Sequence, residues 1–484
     1  MRPRTAACEA THARARGWRP FQAHGTRELR RGWVWALMLL VGCQSPTPSV
    51  ESADTVLWDV TLIDGTGAPP APHRVLVLRD GRIAAIGGVG ETPLRSGSRV
   101  VDLRGRSVVP GLIDLHVHFP RDEAVQDAIL DRLLDHGITT VFNPGARPGA
   151  DVELRERAAL REDPAPRLFT AGPILDCAPR DREPTSWFVY VSEEEELVEA
   201  VRQQAARGVD WIKLYEHLPP AFVRAGIQEA HAQGLPVVVH AGATTWGEAA
   251  RMGADMLVHS GYGTPMEELI ELEDPDSASN EVWYRAYADA PSGRAFAELA
   301  QALVEEGVIV VPTLSITQAA GLGFDTRLLP GFRTELAPGV ELADWWTPGW
   351  RERHPQTGEL DVGEERLLEE VYFPGVLGIV RAYFERGVQL GVGTDVGNSW
   401  MTPGVVYHHE LELYQRAGLP PLEILAMATR NGAAALGILD DVGTLEPGKR
   451  ADLVVLTRSP AQDIRSMAEI EAVYLGGQLV REAR

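Results

Sequence analysis

Six side chains in this sequence are of types that bind divalent cations, and their order along the chain suggests one site. His116 and His118 close the stretch Val108-Val109-Pro110-Gly111-Leu112-Ile113-Asp114-Leu115-His116-Val117-His118. Alternate side chains of a strand share a face, so the two imidazoles point the same way and offer a pair of neutral nitrogen ligands. Lys213 lies in Asp210-Trp211-Ile212-Lys213-Leu214-Tyr215, His240 closes Val237-Val238-Val239-His240, and His259 closes Met256-Leu257-Val258-His259. Asp395 closes Leu390-Gly391-Val392-Gly393-Thr394-Asp395. Each alone has an ordinary role open to it: Lys213 could snorkel, His240 and His259 could hydrogen-bond backbone, and Asp395 could cap a helix. Six of them at the ends of strand-like runs are hard to explain as packing, and together they read as metal ligands.

The lysine carries a second signal. Of 46 basic residues only Lys213 and Lys449 are lysine. Arginine cannot lose its proton, whereas a buried lysine can. A neutral amine can take up carbon dioxide as a carbamate, an anionic oxygen ligand. Chance retention of a few lysines is the plain alternative.

The elements that must position these groups alternate between strand-like and helix-like runs, the pattern of a parallel α/β fold. Strands are expected at Val108–His118, Thr139–Asn143, Arg167–Ala171, Trp211–Tyr215, Val237–His240, Met256–His259, Val308–Thr313 and Gln389–Thr394. Helical runs such as Glu193–Arg207, Pro220–Gln233 and Gly247–Met252 separate many of them. Eight strands with intervening helices predict a (β/α)8 TIM barrel, whose chemistry sits at the C-terminal strand ends. A doubly wound open sheet is the alternative, but its Gly-rich phosphate fingerprint is absent. Short strands at both ends, Val56–Ile63 and His73–Gly88 against Ala451–Leu456 and Ile470–Val480, are expected to pair into a small β-sandwich domain. The predicted organisation is a leader over 1–42, a tether over 43–55, a β-domain from 56–107 plus 437–484, and the barrel over 108–436. Residues 261–307 and 317–386 are long enough to carry helices of their own; Trp345, Trp346 and Trp350 in the second read as a roof over the barrel mouth or as a packed subdomain.

The ordered set His-x-His, Lys, His, His, Asp resembles the metal-dependent amidohydrolase superfamily, across roughly residues 56–484 and including the return strand Glu446-Pro447-Gly448-Lys449-Arg450-Ala451-Asp452-Leu453. Val237–Gly242, His259–Tyr262 and Gly393–Gly397 look most like its imidazolonepropionase-like and Xaa-Pro dipeptidase-like branch. The former enzymes bind one metal without the lysine, so Lys213 tilts the likeness toward the two-metal, dipeptidase-like side. The resemblance implies that His116, His118 and Asp395 hold one metal, His240 and His259 the other, and carbamylated Lys213 bridges them. Nitrogen and oxygen ligands without thiolate suit zinc, with manganese, cobalt or iron also open. A hydroxide held between two such ions is a nucleophile at neutral pH, and Asp395 would collect the proton and pass it to the leaving nitrogen. The expected reaction is hydrolysis of an amide, in a dipeptide or small N-acyl compound. A cyclic amide or lactone is the alternative substrate, and a noncatalytic ligand-binding lipoprotein the alternative class. Tyr215 is expected to point inward with Lys213, His217 to sit at the rim, and Tyr262, Trp246, Thr313 and Asn398 to lie in loops that shape a pocket. For each of these, packing is an equal reading. His408 and His409 open the helix after strand eight, at least one of them as a surface or packing residue; His136, His231 and His354 read as structural.

Composition narrows partners and compartment. Arg30-Arg31 precedes the apolar run Trp33–Val41, too short to span a bilayer, which ends Leu40-Val41-Gly42-Cys43. This resembles a bacterial lipoprotein signal, with export and a lipid on Cys43 as the implied anchor; a plain secretory signal or a buried helix is the alternative. Residues 1–42 hold eight Arg and two Glu, so losing them takes the net charge from −22 to −28. Such a surface repels phosphate backbones and makes nucleic acid an unfavourable partner. After processing, Cys177 would be the sole cysteine beyond Cys43, a free thiol with no disulfide framework around it.

Overall fold

The structure is a computed structural model that describes residues 53–482 apart from 148–149, 178–186, 262–267, 271, 273–277, 323–327, 334, 338, 342–361 and 399–400. The leader, Cys43, most of the tether, Tyr262, His354 and the three roof tryptophans lie outside the described residues. Among the described residues no helix is long and apolar enough to cross a membrane.

Eight parallel core strands appear where the apolar runs predict them: Leu112–Asp114, Ile138–Asn143, Arg167–Thr170, Ile212–Leu214, Val237–Val239, Met256–Val258, Ile309–Val311 and Gln389–Leu390. The first three form one sheet and the rest another. Backbone bonds join the two sheets at both seams. Asp210 N donates to Thr170 O at 2.8 Å on one side, and on the other Leu115 N donates to Val392 O at 2.9 Å. Most residues of these strands are buried on both faces, which is why apolar side chains dominate their sequences. Val237, Val239, Leu257 and Val310 pack outward into the main core with the helices. Val238, Met256, Val258, Ile309 and Val311 face an inner core with Ile113 and Leu115.

Between strands lie helices Glu123–Asp135, Glu194–Arg207, Pro220–Ala232 and Trp246–Arg251. The two long connections contain helices as expected, Asn280–Asp289 and Arg294–Glu305 in the first and Phe373–Glu385 in the second.

Two features depart from the sequence reading. Val108–His118 is not one strand: Ser107–Pro110 pairs antiparallel with Leu453–Leu456 in the small sheet, and the chain then enters the core as Leu112–Asp114. Gly111 is the crossing point, and a Cβ there would lie 2.2 Å from Thr139 Oγ1. Cys177, expected to be a free thiol, is disulfide-bonded, and its partner lies outside the described residues.

The chain's two ends meet in one eight-stranded sheet that also contains Thr55–Leu62, Ala71–Arg79, Arg82–Gly88, Ile470–Leu475 and Gln478–Glu482. Leu57, Leu76, Val108, Leu453 and Val455 form its own core.

Candidate metal centre

Strand one and strand eight are neighbours, and their tips bring three donors together. His116 Nε2 and His118 Nε2 are 3.2 Å apart, and each lies 3.3 Å from Asp395 Oδ1. The backbone sets this spacing: Asp395 N donates to His116 O at 2.7 Å and His118 N to Val396 O at 2.5 Å. Strand eight is thin here. A Cβ on Gly393 would come within 2.9 Å of His116 Cβ, and one on Gly397 (φ +112) within 2.4 Å of His118 Cβ. Asp114 locks the seam from below, accepting from His116 N at 3.1 Å, Thr394 N at 3.0 Å and Thr394 Oγ1 at 2.7 Å. Its full burial raises its pKa to about 7 against the help of those donors.

Lys213, His240 and His259 stand beside this trio. The His259 ring is 5.0 Å from that of His116 and 4.5 Å from that of His240. Lys213 is 2% exposed, its Nζ has no hydrogen-bond partner among the described residues, and it sits 5.9 Å from the Tyr215 ring. Burial pushes the amine down to about 7, with Asp395 pulling the other way. His116 and His259 are held well below the ordinary imidazole range, by burial first and by the other basic groups second, so both are neutral with lone pairs to offer. His118 Nδ1 is fixed on Gly145 O at 2.7 Å, and His259 Nδ1 on Thr313 Oγ1 at 2.7 Å, leaving each Nε2 for the centre.

Strand parity would point His259 outward, because Val258 already faces the inner core. A left-handed backbone at His259 (φ 69) turns it in. Thr313 (φ 49) and Asp395 (φ 64) share this conformation at the next two strand tips. Each costs about 1–3 kcal/mol, strain that the surrounding structure must sustain and that concentrates at functional sites.

These residues fit a divalent cation. Ligands about 2.0–2.1 Å from a tetrahedral zinc ion stand about 3.3 Å from one another, the spacing of the trio, which the described residues also offer as a group able to hold a metal. Among the described residues Asp395 Oδ1 and Lys213 Nζ are buried without hydrogen bonds, an arrangement that costs free energy in the absence of a charge to satisfy it.

Of the residues expected around the pocket, Tyr215 lies 4.4 Å from His240 between ring centroids. His217 is at the rim, its N and Nδ1 on Asp176 at 2.9 and 2.7 Å. Trp246 is buried and stacks on Tyr383 at 6.1 Å, a packing role. Thr313 positions His259, and Asn398 Nδ2 donates to Asp395 O at 3.2 Å. Neither His408 nor His409 is at the surface: His408 packs 5.3 Å from His136, and His409 Nε2 meets Gln318 Oε1 at 2.7 Å. His231 pairs with Asp255 at 3.0 Å.

Three carboxylates were missed. Asp114 lies inside the motif itself. Asp176 sits on Ile174–Cys177, where strand three resumes after Pro173. Glu410 accepts from Leu314 N at 2.8 Å and from Ser315 N and Oγ at 2.6 Å, tying the helix after strand seven to the helix after strand eight. No local pattern announces that bond, since its partners are 95 residues apart.

A family model described as "Amidohydrolase family" matches residues 107–480. Over 406 residues the chain is 27% identical to an imidazolonepropionase of Symbiobacterium thermophilum, covering 80% of this chain and 84% of that one. An uncharacterized protein of Mycobacterium tuberculosis is 35% identical over 128 residues, and the match spans only 25% of this chain and 20% of the relative. Among solved structures, a Xaa-Pro dipeptidase with bound methionine superposes with a TM-score of 0.66 at 22% identity, covering 89% of this chain and all of that one.

Proposed function

The chain belongs to the amidohydrolase family, and from that premise we propose that it is a metal-dependent hydrolase of an amide bond in a dipeptide or small N-acyl compound. The observation that carries this reading is the convergence of His116 Nε2, His118 Nε2 and Asp395 Oδ1 at 3.2–3.3 Å beside a buried, readily neutralised lysine. The two strand sheets with bonded seams support a closed (β/α)8 barrel, and the eight-stranded sheet supports a β-sandwich made from both ends of the chain.

His116, His118 and Asp395 would hold one divalent ion, most simply zinc, and His240 and His259 a second, with Lys213 as a carbamate between them. Bound there, the ions would supply a polarising charge for the substrate carbonyl and lower the pKa of water. The chain's residues do the rest. Asp395 accepts the proton of the attacking water and returns it to the leaving nitrogen. Thr313 and Gly145 orient His259 and His118, which keeps both imidazoles in the ligating tautomer. Tyr215, beside His240, is placed to meet the substrate, and His217 is steadied at the rim by Asp176. Export and a lipid on Cys43 complete the proposal; labelling with a radioactive fatty acid, lost in Cys43→Ser, tests that part.

The test of the activity is a hydrolysis screen on purified, metal-analysed protein, with dipeptides, N-acyl amino acids, cyclic amides and lactones in parallel. Turnover of linear amides that is lost on chelation and regained with zinc is expected. Turnover confined to lactones or cyclic amides transfers the site to that chemistry, and no turnover with any of them, at two metals per chain, sinks the reading.

A further inference from the structure

Many arginines of the described residues stand against a carboxylate, as Arg155 does on Asp210 and Arg161 on Asp131. Arg147 does not, and it lies beside the candidate centre. It follows Gly145, whose carbonyl holds the His118 ring, by two residues. Its guanidinium carbon sits 4.5 Å above the centre of the Trp187 ring. The same indole meets the His118 imidazole edge-on, 5.4 Å between centroids. Trp187 is itself anchored, since its carbonyl accepts from Ile174 N at 3.0 Å. Arg147 Nε is buried without a hydrogen bond, and its pKa is depressed by burial and then by Arg121. A charge is therefore kept at the edge of the site at a cost that no carboxylate among the described residues offsets.

We propose that Arg147, stacked on Trp187, receives a free carboxylate of the substrate, so that the amides this protein hydrolyses are those of acids such as N-acyl amino acids and dipeptides with an uncapped end. This rests on the amidohydrolase reading and narrows its substrate class. Stacking occupies the face of the guanidinium and leaves its in-plane N–H groups, whose fork matches a carboxylate. The net charge of −22 repels an anionic substrate at long range, so a local cation is what its recognition requires.

The experiment compares matched pairs, an N-acetyl amino acid or dipeptide and its C-terminal amide, as substrates of the metal-loaded wild type, Arg147→Lys and Arg147→Gln. Calorimetric binding of acetate-terminated and amide-capped product analogues to the same proteins gives a readout that needs no turnover. The wild type is expected to favour the free acid by about 10²-fold in kcat/KM, mostly through KM, the scale of one charge-assisted contact. Arg147→Gln should lose most of that preference and Arg147→Lys part of it, with calorimetry following the same order. Equal use of acid and capped substrate by the wild type, or equal losses on both in Arg147→Gln, overturns the proposal. Preferential binding of the acid that depends on Arg147, with no amide hydrolysed, would keep the arginine's role and overturn the amidohydrolase reading; absence of both overturns both.

Discussion

The two halves of the candidate centre differ in one respect that decides their chemistry. His116, His118 and Asp395 make a complete donor set as folded: two imidazoles and one carboxylate, spaced by backbone bonds between strands one and eight. Lys213, His240 and His259 also come from neighbouring strands, and the His240 and His259 rings stand 4.5 Å apart. They contain no anion. Two imidazoles and an amine cannot balance a second divalent charge; an amine converted to a carbamate could. In the proposed two-metal centre one half is finished by folding, and the other would need a covalent addition, for which burial prepares Lys213 by lowering its pKa to about 7.

Removing the anion of the finished half should do the most damage. Asp395→Asn loses the charge and the proton acceptor together, and kcat is expected to fall by about 10⁴-fold, with metal content reduced in the same preparation. Added short carboxylates should not restore it, because the base must be held on strand eight. Activity within tenfold of wild type would remove Asp395 from the mechanism.

Lys213→Ala attacks the other half and should cost on the order of 10³-fold, the scale of losing one preorganised electrostatic partner. The group lost would be the carboxylate of the proposed carbamate, left as an empty space in a buried cavity. Formate or propionate should recover part of the activity in Lys213→Ala and none in Asp395→Asn. A carbamate signal in the wild type under labelled carbon dioxide checks the same point. Equal response of the two variants to formate would erase the distinction between the halves.

Thr313→Val leaves all six donors in place and removes the bond that orients His259. A loss of about 10–100-fold in metal affinity or activity is expected, falling on the second ion and sparing the first. Stepwise metal titration reads which ion is weakened; loss of both ions together would show that the halves do not load separately.

What could be read in the sequence follows the same division. The six donors stand at strand tips because apolar runs end there, and burial of a strand on both faces leaves that pattern plainly visible. The turn of the chain at Gly111 was hidden by an unbroken apolar run, although Pro110-Gly111 inside a strand is itself a sign of interruption. His259 illustrates a deeper limit. Alternation along Met256–Val258 would send it outward, and the left-handed backbone that reverses it accompanies bonds to Val311 and Thr313 on the neighbouring strand, partners that local sequence does not show. Asp176, Glu410 and Arg147 were illegible for a related reason: their partners lie on other elements, and their residue types alone carry no spacing.

Lys213 also allows a test without substrate. In metal-free protein and buffer stripped of carbon dioxide, the unfolded lysine holds its proton up to about 10.5, whereas the folded one releases it at about 7. Between these values the unfolded state binds more protons, so stability rises with pH. Below about 7 both states are protonated, and the full cost of burying the charge is present. Lys213→Met removes this dependence while filling similar volume. The variant should therefore unfold at higher denaturant than the wild type at pH 7, and its advantage should shrink by at most about 1.4 kcal/mol per pH unit as pH rises. Urea midpoints of both proteins at pH 7, 8 and 9 measure the slope. Parallel midpoints across that range would mean that the amine stays protonated in the fold, and the preparation of the second half for carbon dioxide would have to be abandoned.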